Sequence, residues 1–173
     1  MAVDELVSAC QEGKTLHVKT LLDEGLSPRL GLRKALEEAI LHNHADIVKL
    51  LLKRGVLDQC MVESSEDECP WPLEPADTTG SLQFAAINGK IDVVRALLEW
   101  DIRLVDCVDS LKRTALSFAA RAGHIETVHV LLVATADINA VDVDGLTALD
   151  HAQAAGNRDV VELLEAKLTR VEA

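Results

Sequence analysis

Aromatic residues are almost missing from this chain: two Trp, two Phe and no Tyr in 173 residues. Its core must be filled by the aliphatics that dominate the 49% hydrophobic content, and small to medium side chains suit closely stacked helices. Basic residues are also scarce, 17 Lys and Arg against 29 Asp and Glu, giving a net charge of -12. That balance excludes a surface that tracks nucleic-acid phosphates or rests on an anionic membrane, and leaves a basic protein as the partner that charge would favour. No run approaches the roughly 18 consecutive apolar residues of a bilayer span. The opening residues MAVDELVSAC lack a basic segment followed by an apolar one, so no signal peptide is expected. Four cysteines, Cys10, Cys60, Cys69 and Cys107, follow no framework spacing, and free thiols in a reducing compartment are expected. There is no CxxC pair, so Cys60 and Cys69 make a weak zinc signal even with His42 and His44 in reach, and no metal is expected. Gly-rich phosphate loops, dinucleotide fingerprints and metalloprotease motifs are also missing, and no cofactor or catalytic residue is expected.

What is present is a repeat. Sliding Asp109–Leu131 onto Asp142–Leu164 by 33 residues aligns Asp109 with Asp142, Thr114 with Thr147 and Leu116 with Leu149. It also aligns Ala119 with Ala152, Gly123 with Gly156, Val128 with Val161 and Leu131 with Leu164. A period of that length marks a solenoid of stacked supersecondary units.

The same pattern runs backwards through the chain. Residues 81–99, SLQFAAINGKIDVVRALLE, are a clear copy, with Gly80 where Thr is usual and one extra residue before Asp109. Residues 33–55 are a diverged copy: Lys34 replaces Thr, and Asn43 replaces the inter-helix Gly, a position where Asn tolerates the left-handed conformation. The first unit pairs an apolar-periodic helix, Val3, Leu6, Val7 and Cys10, with a second over Leu16–Leu22 that closes at Gly25. Asp4, Glu5, Gln11 and Glu12 cover its outer side, as expected of a cap. The polar ending, Glu165–Ala173, has the look of a second cap. Between the second and third copies lies an insertion at 56–80, of about 13 residues beyond one period. It carries three of the four prolines and the acidic run Glu63–Glu68, and from Gly55 to Gly89 there is no Lys or Arg. Such a composition favours an exposed loop.

These residues resemble the ankyrin repeat family. The resemblance is carried by DVDGLTALD at 142–150, GHIETV at 123–128 and ADINA at 136–140, and it covers most of the chain. It implies an all-α repeat solenoid: stacked helix-turn-helix units with short β-hairpin-like loops, in one domain with units at about 1–28, 29–60, 75–108, 109–141 and 142–173. It further implies a non-catalytic module that binds another protein through a concave face made by the first helices and hairpin tips. Carried over position by position, the free positions include Leu41, His42, Ile87, Asn88 and Arg121 at the ends of first helices. At hairpin tips they are Ser110, Leu111, Arg113, Val143, Asp144 and Leu146. Leu41, Ile87, Leu111, Val143 and Leu146 would form an apolar stripe on a wet surface, the mark of an interaction site.

Trp71, between Pro70 and Pro72, is a candidate partner anchor, or a pin that holds the insertion to the repeats. Trp100 is expected at a loop position between repeats, as a packing residue. Ser64 and Ser65 precede acids three positions on, a pattern that suits an acid-directed kinase. His124 is expected to be structural and His129 solvent-facing; His151 stands beside Asp150 with no nucleophile, so no dyad is read. The function expected is an adaptor or inhibitor, monomeric, in the cytoplasm or nucleus, with no nucleic-acid or membrane partner. An acidic escort for a basic client is the alternative. An enzyme using Glu63, Glu66 or Asp67 in the insertion is the remaining class. Only Thr114 and Thr147 keep the helix-capping Thr, so the C-terminal units are expected to be the stiffest and 29–80 the softest.

Overall fold

The computed structural model describes residues 2–24, 29–54 and 80–171. The expectations for Gly25, for the body of the 56–80 insertion, and for Cys60, Glu63, Ser64, Ser65, Glu66, Asp67, Cys69 and Trp71 concern residues outside these. Among the described residues ten α-helices follow one another: α1 (Ala2–Gln11), α2 (Thr15–Asp23), α3 (Arg29–Leu41), α4 (Ala45–Lys53), α5 (Ser81–Ile87), α6 (Ile91–Trp100), α7 (Ala115–Ala122), α8 (Ile125–Val133), α9 (Ala148–Ala155) and α10 (Arg158–Val171). A single 3-10 turn, Ile102–Asp106, follows α6. The one β feature among these residues is an isolated antiparallel bridge between Val108 and Thr114, at the neck of a hairpin-like loop.

Most of these helices are too short to hold alone in water. They persist because each buries one face against two or three neighbouring helices. The odd-numbered helices pack side by side in an inner layer, the even-numbered ones form an outer layer, and each helix also packs on its own partner. Leu36, Ile40, Ile47, Leu51, Leu82, Leu97, Leu116, Leu131 and Leu164 run through the seam between the layers with at most 1% of their surface exposed. Burying each such side chain is worth about 1.5–3 kcal/mol. The fold is an all-α repeat solenoid.

The local signals act as the sequence leads one to expect. Thr114 and Thr147 stand at N-caps with extended backbones, and their hydroxyls accept from the N–H groups of Ser117 and Asp150, both at 3.3 Å. Thr147 goes further: its N–H and hydroxyl both donate to Asp150 Oδ2, at 2.8 and 2.6 Å, completing a capping box. Asn43 does adopt the left-handed conformation, with φ 58°.

Three details differ from the sequence reading. Helix α3 begins at Arg29, ahead of the 33–55 copy, and Lys34, at the position of the usual Thr, is an exposed mid-helix residue that provides no cap. Trp100 is the last residue of α6 and is exposed, since the extra residue before Asp109 is absorbed by a longer helix and the 3-10 turn. Gly80 caps α5 without a side chain, and the space its missing Cβ leaves is taken by the Gln83 amide. Gln83, 1% exposed, then donates from Nε2 to the Cys107 carbonyl at 2.8 Å, tying the start of α5 to the loop ahead of α7.

Candidate protein-binding surface

The inner helices run parallel, and the hydrogen bonds between successive pairs show it. His44 Nε2 donates to the Gln11 carbonyl (3.3 Å), His124 Nε2 to the Ile87 carbonyl (3.0 Å), and Asn157 Nδ2 to the Ala120 and Arg121 carbonyls (2.9 Å each). Each bond joins the turn after one inner helix to the C-terminal end of the inner helix before it. At the other end the Val143 N–H donates to the Leu111 carbonyl at 3.0 Å, joining two hairpin tips. The predicted residues therefore fall in two rows, not one stripe. Leu41, His42, Ile87, Asn88 and Arg121 follow the helix ends, and Ser110, Leu111, Arg113, Val143, Asp144 and Leu146 form the tips. An inner helix of eight residues, such as α7, holds the rows about 12 Å apart.

Each tip is built around a buried aspartate. Asp109 Oδ1 accepts from the N–H groups of Leu111 (2.9 Å) and Arg113 (2.8 Å), while Oδ2 pairs with Arg113 Nε (2.8 Å) and Nη2 (2.6 Å). The Arg113 guanidinium also lies 4.6 Å above the Phe118 ring. Asp142 repeats the pattern, with Oδ1 accepting from the N–H groups of Asp144 and Leu146 at 2.9 Å each. Its cation-side partner is His151 Nε2, 2.8 Å from Oδ2. Burial alone would raise the Asp142 carboxyl, but the Leu146 N–H, the His151 ring and the Asp144 N–H outweigh it and hold it below the usual carboxylate range. His151 thus serves the tip and has no bond to Asp150, which is occupied by Thr147. Both tips are fixed from inside and leave Leu111, Val143 and Leu146 exposed.

The helix-end row is fixed in a similar way. His42 Nδ1 donates to the Glu38 carbonyl (3.0 Å) and Asn88 Nδ2 to the Phe84 carbonyl (2.8 Å), so both polar side chains fold back to close their helices. That leaves the adjacent Leu41 and Ile87 exposed. The His42 ring stacks on His44 at 6.1 Å. Arg121 is exposed on α7. His124 is structural and His129 exposed, as expected. Cys10, inside α1, is buried and its thiol is pushed up to about 12, which makes it a core residue rather than a nucleophile.

Some surface features were not read from the sequence. Asn43 Nδ2 donates to Asp92 Oδ2 (2.9 Å), joining the α3–α4 turn to α6, and Lys49 Nζ donates to Glu99 Oε2 (2.7 Å), bridging α4 and α6. Beside them lies a polar groove of about 500 Å³ lined by Gly13, His44, Asp46, Arg95 and their neighbours. Trp100, Ile102 and Val133 are exposed near the C-terminal ends of the outer helices. Among the described residues no group of three or more His, Cys, Asp or Glu side chains could hold a metal ion, and no helix is long and apolar enough to cross a membrane.

A family model of ankyrin repeats, in three copies, matches residues 82–171. The chain is 34% identical over 132 residues to the Caenorhabditis elegans homolog of transient receptor potential cation channel subfamily A member 1, covering 76% of this chain and 10% of that one. It is 26% identical over 165 residues to the ankyrin repeat protein nuc-2 of Neurospora crassa, covering 91% and 14%. With human ankyrin repeat domain-containing protein 63 it shares 30% over 151 residues, covering 87% and 37%. The chain thus spans a minor part of each of these relatives. The Thr caps, the turn glycines, the ring-to-carbonyl bonds and the family match agree, and the chain belongs to the ankyrin repeat family, a family of protein–protein interaction modules.

Proposed function

We propose that this chain is a non-catalytic adaptor or inhibitor that grips a partner protein with the inner-helix ends and hairpin tips. The observation that carries the reading is exposure where the repeat pattern leaves residues free. Leu41, Ile87, Leu111, Val143 and Leu146 are 37–53% exposed, at helix ends and tips that local hydrogen bonds close. Apolar side chains presented this way and bordered by His42, Asn88, Arg113, Arg121 and Asp144 have the form of an interface core with a polar rim. In this reading the chain acts as a monomer of five stacked units in the cytoplasm or nucleus. Trp71 and the acidic insertion, outside the described residues, would be further partner contacts in this reading.

The net charge of -12 supports a second reading, an escort for a basic client. The two differ in salt dependence, since an apolar grip survives salt and a charge-led one weakens steeply. The test is affinity capture from native lysate with the intact chain beside a Leu41→Arg/Ile87→Arg variant of unchanged circular dichroism. A protein captured by the first and lost by the second, in low and high salt alike, supports the apolar grip. Equal capture by both removes the helix-end row from the account.

A further inference from the structure

Three of the four inner-layer junctions are closed by one device. His44, His124 and Asn157 each reach back to the carbonyls that end the preceding inner helix. At each of these the preceding turn holds a glycine, and a Cβ there would come within 2.6 Å of His44, 2.8 Å of His124 or 2.9 Å of Asn157. The glycine is needed for its missing side chain as much as for its positive φ.

The junction between α3 and α5 breaks both halves of this rule. Its turn residue is Asn43 and the incoming residue is Lys90, which has neither a ring nor an amide to reach back to the carbonyls that end α3. Asn43 turns its amide outward to Asp92 and leaves its own Oδ1 buried without a partner. Packing follows the same division. Helices α3 and α5 touch less than any other neighbouring inner helices, whereas α4 and α6 are the most closely joined neighbours of the outer layer. The outer side is clasped by Asn43–Asp92 and Lys49–Glu99, both at exposed positions where salt and water weaken them.

We propose that the α3–α5 junction is a bending joint, about which the block α1–α4 and the block α5–α10 change their mutual angle. The outer clasps are its pivot and the thin inner contact is the side that opens. Leu41 ends α3 and Ile87 ends α5, so the joint sets the distance between the two anchors of the helix-end row. A partner that touches both selects one angle; this last step rests on the proposed function, while the joint itself does not.

The test is pulsed electron spin resonance on the free full chain, with Cys60, Cys69 and Cys107 replaced by serine. Nitroxides at Lys34→Cys and Ala122→Cys span the joint; nitroxides at Ala122→Cys and Ala154→Cys span the closed α7–α9 junction as a control. The spanning pair should give a distance distribution about two-fold wider than the control. Restoring the device with Asn43→Gly and Lys90→His should narrow it to the control width, and Glu99→Gln, an exposed change that spares the fold, should widen it. A spanning distribution as narrow as the control, or one that the restored junction leaves unchanged, overturns the joint. Because no partner is present, that failure is separate from failure of the binding face.

Discussion

The hairpin tip at 109–113 is held by one carboxylate, and replacing that carboxylate measures how the tip is made. Asp109 has a side chain only 1% exposed, accepts two backbone N–H groups with Oδ1 and pairs with Arg113 through Oδ2. In Asp109→Ala the Leu111 and Arg113 N–H groups lose their acceptor at about 1–3 kcal/mol for each that water cannot reach. Both N–H groups are only partly buried, so water reaches them in part. Arg113, with 26% of its side chain exposed and Phe118 beneath it, loses a screened ion pair rather than becoming a buried lone charge. The sum is about 3 kcal/mol. Asp109→Asn keeps an oxygen for both N–H groups but puts an NH2, which cannot accept, against Arg113, so it loses the screened ion pair with its hydrogen bonds, at about 1 kcal/mol. Urea unfolding gives the two costs, and hydrogen exchange at the Leu111 and Arg113 amides shows whether the tip has opened. If Asn costs as much as Ala, the ion pair and not the N–H bonds organises the tip, and this reasoning is refuted.

Other outcomes follow from the same geometry. Thr114→Ala and Thr147→Ala should each cost about 1 kcal/mol in urea unfolding, the second more because it also dismantles the capping box. Hydrogen exchange in the unaltered chain should be slowest in α7–α10 and fastest across 29–54. The carboxyls of Asp142 and Asp150 titrate below their ordinary value of 3.8, Asp150 through the Thr147 hydroxyl and N–H. Both are depressed in the folded state, so the stability they supply is complete above that value and is lost as pH falls through the folded values. The unfolding midpoint should therefore drop as the pH falls below about 4, and Asp142→Asn/Asp150→Asn should flatten that drop. Gly89→Ala meets the His124 ring at 2.8 Å and also strains φ 63°, whereas Gly156→Ala strains φ 76° in open space. Thermal unfolding should show Gly89→Ala as the costlier by about 1–2 kcal/mol, and equal costs would mean that the ring does not press on that turn.

Much of this fold is legible because a repeat states its local rules more than once. The offset between Asp109 and Asp142, the Thr caps and the left-handed Asn43 are all local features that backbone chemistry imposes, and each appears in the structure where the sequence places it. What is hidden depends on partners from different copies. His151 is adjacent to Asp150, but neighbours on a helix point in different directions, so it pairs with Asp142 nine positions back. Asn43 and Asp92 are 49 residues apart, and the insertion between them obscures their register. The start of α3 at Arg29 and the end of α6 at Trp100 are not legible, because Lys34 provides no cap and the extra residue before Asp109 has no counterpart in the next copy. Among the site residues, the repeat frame identifies which positions are free. It does not say that two rows, about 12 Å apart, would result, since that follows from the parallel packing of whole helices.

The central claim is that a partner sits on the inner-helix ends and hairpin tips. Once a partner has been captured, hydrogen-exchange footprinting of the complex tests this most directly. The account predicts slowed exchange at the C-terminal ends of α3, α5 and α7 and at 110–113 and 143–146, with the outer helices unchanged. Protection confined to α4, α6 and α8, beside Trp100 and Val133, would contradict it and assign binding to the opposite face.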